Sequence, residues 1–547
     1  MPSSPPVRLH VFRRYFIKVS VWHYGDRGQD DIRIVIEDFR TTMASRILFP
    51  AKCSLTISSS AQKCITNVGV RSLSTSLPYH ATAAKSKKTL AKPGVKNIVL
   101  VEGVRTPFLM SGTEYADLMP HDLARGALQV SYRKLKYQLR FNTVTQVIDL
   151  IRVRKSHRKP FAAHLLEMVD QIIFGTVIQE VKTANIAREA ALGAGFAKSV
   201  PAHSVTMACI SSNQAISTGI GYIASGNADI VVAGGVDFMS DVPIRHSRQM
   251  RKFMLNLGKA KTAGAKLGLA SKYLSLKALS PELPGIAEFS TGEIMGHSAD
   301  RLAAAFGVSR KEQDEYSIRS HTFADNATKN GNLSDRLTYI VPKTGKVVER
   351  DNGIRVSSME KMSKLKPAFI KPHGSITAAN SSFVSDGASA CLIMTEEKAL
   401  EMGYKPKAYL RDFVFVAIDP KDQLLLGPAY ATPQVLDKAG LKLSDIDVFE
   451  YHEAFAGQIL SNLKAMNSDH FAKKYQHRKG KLGEIPMDKF NLWGGSLSIG
   501  HPFGATGVRL VTTVANRLEK EDGQFGVLAA CAAGGHGHAM VIERYPS

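Results

Sequence analysis

The chain has 547 residues, of which 44% are hydrophobic and 22% charged, with a formal net charge of +23. That length suits two or three domains with cores of their own, no apolar run reaches transmembrane length, and the five cysteines show neither a disulfide framework nor metal-type pairing. The positive charge is local: residues 43–101 contribute +9 and residues 242–281 another +9, both without one acidic residue, and residues 130–159 contribute +8, so with no zinc-finger or RNP-like motif a general nucleic-acid-binding surface is excluded.

In chain order, the stretch from Met43, "MASRILFPAKCSLTISSSAQKCITNVGVRSLSTS", is rich in Ser, Thr and basic residues and free of acids. This is the composition of a mitochondrial transit peptide, with a disordered basic tail as the alternative. Its position implies that residues 1–42 are an upstream extension and that translation starts at Met43. Next come a strand, "KNIVLVEG", and a helix, "MPHDLARGALQ". The basic segment 130–159 has little periodicity and reads either as a translated intron or as a genuine surface insertion. "DQIIFGTV", "HSVTMA" and "ADIVVAGG" continue an alternation of apolar strands with helical stretches, which argues for an α/β protein with buried, largely parallel sheets. Residues 242–374 differ from what flanks them and read as an inserted domain. Its basic part, 245–280, mixes nine Lys/Arg with Leu, Met, Phe and Tyr, as an interfacial segment on anionic lipid would. A solvated loop at a coenzyme A phosphate or a partner interface is the alternative. "SACLIM" places Cys391 as a core residue. A faint repeat follows, because the strand, loop, helix and glycine-ended strand around Cys209 recur around His501.

The chemistry gathers at four places. Cys209 in "TMACISSNQA" lies at a strand-to-helix junction, where a helix N-terminus lowers a thiol pKa from about 8.5 towards neutrality and favours the nucleophilic thiolate. His501 in "NLWGGSLSIGHPFGATG" is held between glycine and proline, so it can activate a thiol or donate to an oxyanion. Cys531 in "AACAAGGHGHAM" can shuttle a proton, although alone it would read as core packing. "YHEAFAGQ" sets His452 and Glu453 at a strand end, where Glu453 reads equally well as a helix-start residue.

Together these motifs identify a resemblance to the thiolases, in order and from about residue 95 to the end. Cys209 sits at the acyl-accepting cysteine, the Gly-His-Pro run matches the family signature, and Cys531 matches the proton-shuttling cysteine. "GSITAANSSFVSDGASA" resembles the segment whose serine, here Ser382, touches the pantetheine arm of coenzyme A. Two positions depart from the pattern. His452 replaces the usual asparagine of Asn-Glu-Ala-Phe, and Ala533 replaces a glycine, although its N–H can still complete an oxyanion hole with that of Cys209. His452, the basic insert and "RTPFLMSGTEYADLMPHDLARGAL" are most similar to thiolase subunits of mitochondrial β-oxidation complexes.

The resemblance implies a thiolase fold, with two repeated βαβαβαββ halves in a five-layered αβαβα core and an inserted loop domain. The expected division is an N-terminal extension with transit peptide at 1–94, a first half at 95–241 carrying the insertion 130–159, the inserted loop domain at 242–374, the remainder of the first half at 375–404, and a second half at 405–547. It implies thiolysis of long-chain 3-ketoacyl-CoA with coenzyme A as co-substrate and no cofactor or metal. It also implies a homodimer within a hetero-oligomer containing a hydratase/dehydrogenase α subunit, peripheral on the matrix side of the inner membrane. A decarboxylating β-ketoacyl synthase shares the fold but has no need of Cys531. A non-catalytic acyl-CoA or lipid carrier would have no need of two cysteines and two histidines.

Overall fold

The computed structural model describes residues 89–140, 166–273, 275–342 and 344–546, together with three strands nearer the start. Those three, Phe16–Gly25, Asp30–Phe39 and Ser54–Leu55, form an antiparallel sheet within a separate compact unit, Met1–Lys87. Apart from Ser54–Leu55, the expected transit peptide at 43–76 lies outside the described residues, as does the start at Met43. Of the basic segment 130–159, residues 141–159 also lie outside them.

The second unit, Lys88–Ser547, is built on one winding used twice. Its first half contains β1 (Ile98–Arg105), α1 (Pro120–Arg140), β2 (Gln171–Gly175), α2 (Ile186–Ala194), β3 (Ala202–Val205), α3 (Ser211–Ala224) and β4 (Ile230–Asp237). The inserted stretch follows with α4 (Arg248–Leu257), α5 (Ala263–Tyr273), α6 (Met295–Ala305) and α7 (Arg310–Lys329), and β5 (Ser385–Thr395) closes the half. The second half runs β6 (Ala408–Ala417), α8 (Gly427–Ala439), β7 (Val448–Tyr451), α9 (Ala456–Met466), α10 (Ser496–Ile499), α11 (Thr506–Lys520), β8 (Phe525–Ala532) and β9 (His536–Arg544). Helix α1 continues through Arg140, so the start of the basic segment is helical and does not break away at residue 130 as its weak periodicity suggested.

In both halves the last strand lies antiparallel between the first and the penultimate strand, whose other neighbour is parallel to it. The order is β3-β2-β4-β5-β1 in the first half and β7-β8-β9-β6 in the second. At the place of β3 the second half has only a parallel bridge, Phe449 to Phe490. Strands β1 and β6 join the halves through the pairs Leu100–Ala408 and Val99–Tyr409.

Alternation along the strands divides the apolar side chains among three cores. Val99 and Val101 of β1 face α1 and α2, whereas Ile98 and Leu100 face the centre. On β8, Leu528, Ala530 and Ala532 face the centre, and Val527, Ala529 and Cys531 face α8 and α9. The central core also takes Ile216 and Ile223 from α3 and Val508, Val511, Val514 and Leu518 from α11. Helix, sheet, central helices, sheet and helix are thus five layers held by three cores, as the resemblance implied. Each fully buried Val, Leu or Ile contributes about 1.5–3 kcal/mol, which makes α3 and α11 fixed platforms for the loops at their N-termini.

Candidate active site

Cys209 stands between the end of β3 and the start of α3. The turn that presents it is tight: Ala208 has φ 46°, the left-handed region that a non-glycine residue occupies at a cost of about 1–2 kcal/mol. Ser211 holds the turn closed, its hydroxyl donating to the Ala208 carbonyl at 2.6 Å and accepting the Met207 N–H at 2.8 Å. Cys209 is half-buried, whereas Cys391 and Cys531 are buried, and all three are free thiols. Cys391 lies on β5 in the central core, as its sequence context suggested.

His501 comes from the loop between α10 and α11. Two close approaches explain the glycines around it. A Cβ on Gly495 would stand 2.3 Å from the Glu453 carboxyl carbon, and one on Gly504 would stand 2.6 Å from the Gly175 carbonyl oxygen. Glu453, read from sequence as a possible helix-start residue, is a fully buried anchor. It accepts from Tyr316 and Asn491 at 2.8 Å, from Ser320 at 2.8 Å and from the Leu497 N–H at 3.2 Å, binding the His452 loop to the His501 loop. Thr506, missed in the sequence although inside the Gly-His-Pro run, fixes the imidazole. Its hydroxyl hydrogen goes to the Pro502 carbonyl at 3.0 Å, so towards His501 Nδ1, at 2.7 Å, it can only accept. His501 therefore carries its ring hydrogen on Nδ1 and a bare lone pair on Nε2, which is buried with no protein partner.

His452 follows β7 directly and is fully buried, with its ring centroid 4.0 Å from that of His501 at an interplanar angle of 37°. Its Nδ1 is 3.0 Å from Ser496 Oγ, and its Nε2, like that of His501, has no protein partner. The Cys209 sulfur and one ring nitrogen from each histidine lie within 4.8 Å of one another. One thiol and two imidazoles are also donors that zinc accepts, but each has a use in acyl chemistry as nucleophile, base or hydrogen-bond donor.

Cys531 lies at the end of β8, opposite Gly537 of β9, and its thiol is close enough to that of Cys209 for charge on Cys209 to disfavour its ionisation. The backbone N–H groups of Ala533 and of Cys209 itself both act on the Cys209 sulfur. The pair expected to form an oxyanion hole is therefore gathered around the nucleophile. The next amide, Gly534, donates to Glu288 Oε1 at 3.0 Å, so the inserted stretch reaches the edge of the site. Ser382 is half-buried on the segment leading into β5, its N–H donating to the Ala454 carbonyl at 2.9 Å, which places it beside the His452 loop.

The electrostatics correct one expectation. Burial pushes the Cys209 thiol up, to about 12, against the pull of the Ala533 amide, where the helix N-terminus had suggested a value near neutrality. Desolvation outweighs the helix end here, and the first amides of α3 are already spent, Ile210 on Met207 and Ser211 on Ala208. Burial likewise raises Cys531, lowers His452 to about 3 with help from Arg509, and lowers His501 well below its ordinary value. The resting site therefore holds two protonated thiols and two neutral imidazoles. Alkylation of Cys209 by iodoacetamide is accordingly expected to accelerate about tenfold per pH unit from pH 7 to 10 without levelling off. A plateau below pH 8 would reveal a preformed thiolate and contradict this charge state.

Comparison with known proteins agrees with the geometry. Residues 165–397 match the family profile "Thiolase, N-terminal domain" and residues 404–544 match "Thiolase, C-terminal domain". The chain is 63% identical over 481 residues to "Trifunctional enzyme subunit beta, mitochondrial" of Mus musculus, covering 87% of this chain and 95% of that one. It is 58% identical over 463 residues to "Probable 3-ketoacyl-CoA thiolase" of Caenorhabditis elegans, covering 84% and 97%. Among solved structures, the Bacillus anthracis acetyl-CoA acetyltransferase superposes with a TM-score of 0.64 at 29% identity, covering 82% of this chain and 99% of that one.

Proposed function

The chain belongs to the thiolase family, and we propose how its residues divide the thiolytic cleavage of 3-ketoacyl-CoA that it performs in mitochondrial fatty-acid β-oxidation. The observation that carries the division is the meeting of the Cys209 sulfur with two imidazole nitrogens within 4.8 Å. Cys209 gives its proton to His501 Nε2 as its sulfur attacks the 3-keto carbon, and the alkoxide forms against the Cys209 and Ala533 amides. The C2–C3 bond then breaks and leaves an acyl thioester on Cys209. The electron pair goes to the acetyl-CoA enolate, which takes its proton at C2 from Cys531. The thioester oxygen of that enolate is stabilised by His501, now an imidazolium, and by His452, directly or through water. Cys531, left as thiolate, deprotonates incoming coenzyme A, whose sulfur attacks the acyl-enzyme. Cys209 departs and recovers its proton from His501.

Burial raises both thiols, and charge on Cys209 raises Cys531 further, so the two are not ionised together and act in turn. Ser382 is assigned to the pantetheine arm, in keeping with its place beside the His452 loop. The division into 1–94, 95–241, 242–374, 375–404 and 405–547 is proposed on the twofold winding described above. The test of the reaction is CoA-dependent release of acetyl-CoA from 3-ketopalmitoyl-CoA. Dependence on an added metal ion, or release of carbon dioxide from a malonyl thioester, would point to a different chemistry.

The chain acts on acyl-CoA in the mitochondrion and is a β-type subunit associated with an α subunit. We propose that the α subunit supplies hydratase and dehydrogenase activities, that two copies of this chain pair as thiolases do, and that 43–76 directs import. Membrane contact through 245–280 is supported by α4 and α5, on which no residue is buried. On them Met254, Leu255 and Leu267 are exposed among the lysines and arginines. No described helix is long and apolar enough to cross a membrane, and the contact we propose is peripheral, on the matrix side of the inner membrane. Flotation with cardiolipin-containing liposomes is expected to exceed flotation with neutral liposomes and to fall with salt. Binding indifferent to lipid charge contradicts it.

A further inference from the structure

The two histidines of the site are wired differently, and the difference lies in one serine. Ser496, His452 and Arg509 are all buried, and the Ser496 hydroxyl stands between the other two, 3.0 Å from His452 Nδ1 and 3.1 Å from Arg509 Nη2. A guanidinium has donors and no acceptor, so on that side Ser496 Oγ can only accept. Arg509 is held in place by Glu450, to which its Nη1 donates at 2.6 Å. Among the described residues His452 Nδ1 is the one recorded acceptor for the serine's single hydrogen. Were His452 to donate there instead, that hydrogen would be buried without a partner, which is the costly arrangement.

We propose that Ser496, held by Arg509, is a positioning residue that fixes the tautomer of His452, placing the ring hydrogen on Nε2 so that His452 faces the substrate as a donor. His501 has the opposite tautomer, because Thr506 spends its hydrogen on Pro502 and accepts from Nδ1. Two neutral imidazoles with ring centroids 4.0 Å apart thus offer one lone pair and one N–H to the same space. The lone pair receives the proton of Cys209, and the N–H meets the oxygen on which negative charge develops. Without the serine, His452 would divide between tautomers, and the population with a bare Nε2 would repel that oxygen. An asparagine at position 452 would present an amide N–H without such help, so the need for Ser496 is tied to the histidine.

The inference rests on the donor role of His452 proposed above. In the full chain, Ser496→Ala is expected to lower kcat about tenfold with KM changed less than about twofold, since a donor is lost from part of the population. In a His452→Asn background the same substitution is expected to cost less than about twofold further. An equal fall in both backgrounds would mark a merely structural serine and overturn the proposal, as would no fall with His452 present. Nitrogen-15 NMR of ring-labelled histidine in the unsubstituted chain gives a reading independent of variant folding, with the His452 signals identified by their loss in His452→Asn. Nδ1 is expected to be unprotonated and Nε2 protonated, and the reverse overturns the proposal. Full activity of His452→Ala, which has no donor at that position, would instead remove the donor role while leaving an observed Nε2–H tautomer standing.

Discussion

Cys209→Ala is expected to lower turnover of 3-ketoacyl-CoA by on the order of 10⁴-fold or more, because it removes the atom that accepts the acyl group. The effect should be chemical rather than structural. The side chain is half-buried, alanine is smaller, and Ser211, which holds the turn through Met207 and Ala208, is untouched. Thermal unfolding should therefore be nearly unchanged, and the variant should still bind 3-ketoacyl-CoA while releasing no acetyl-CoA. Turnover within tenfold of the unsubstituted chain would remove Cys209 as the nucleophile.

Cys531→Ala is expected to lower turnover by about 10²–10⁴-fold, the usual contribution of a positioned acid/base. A second readout separates this role from packing. A group that protonates C2 of the departing enolate also removes a proton from C2 in the reverse direction. The substitution should therefore abolish exchange of acetyl-CoA methyl protons with heavy water. Cys531 faces the core between β8 and helices α8 and α9, so a loss of about 1 kcal/mol of stability accompanies the change. Unaltered turnover together with retained exchange would contradict its assignment.

Much of this was legible in the sequence because thiolase chemistry leaves contiguous marks. The Gly-His-Pro run, the cysteine at a strand-to-helix junction and the second cysteine before two glycines each quote a local requirement, and the twofold winding appears as a faint repeat. What was not legible depends on contacts far apart in the chain. The raised thiol of Cys209 follows from burial produced by both halves, which no reading of the residues beside it supplies. Glu453 looked like an ordinary helix-start residue, and only Tyr316, Ser320 and Asn491, arriving from other segments, reveal the anchor. Thr506 and Ser496 were inside quoted motifs, yet their importance lies in where each hydroxyl sends its one hydrogen, a matter of geometry rather than of residue type. The start of the basic segment misled in the other direction: its irregular pattern hides a continuation of α1 to Arg140.

The arrangement of thiols and imidazoles makes one covalent prediction above all. During turnover of 3-ketopalmitoyl-CoA with limiting coenzyme A, acid quenching and peptide mass analysis should find a myristoyl thioester on the peptide containing Cys209. Cys531 and Cys391 should carry none, and added coenzyme A should discharge the adduct. A myristoyl group on Cys531, or steady release of acetyl-CoA with no acyl group on Cys209, would contradict the account.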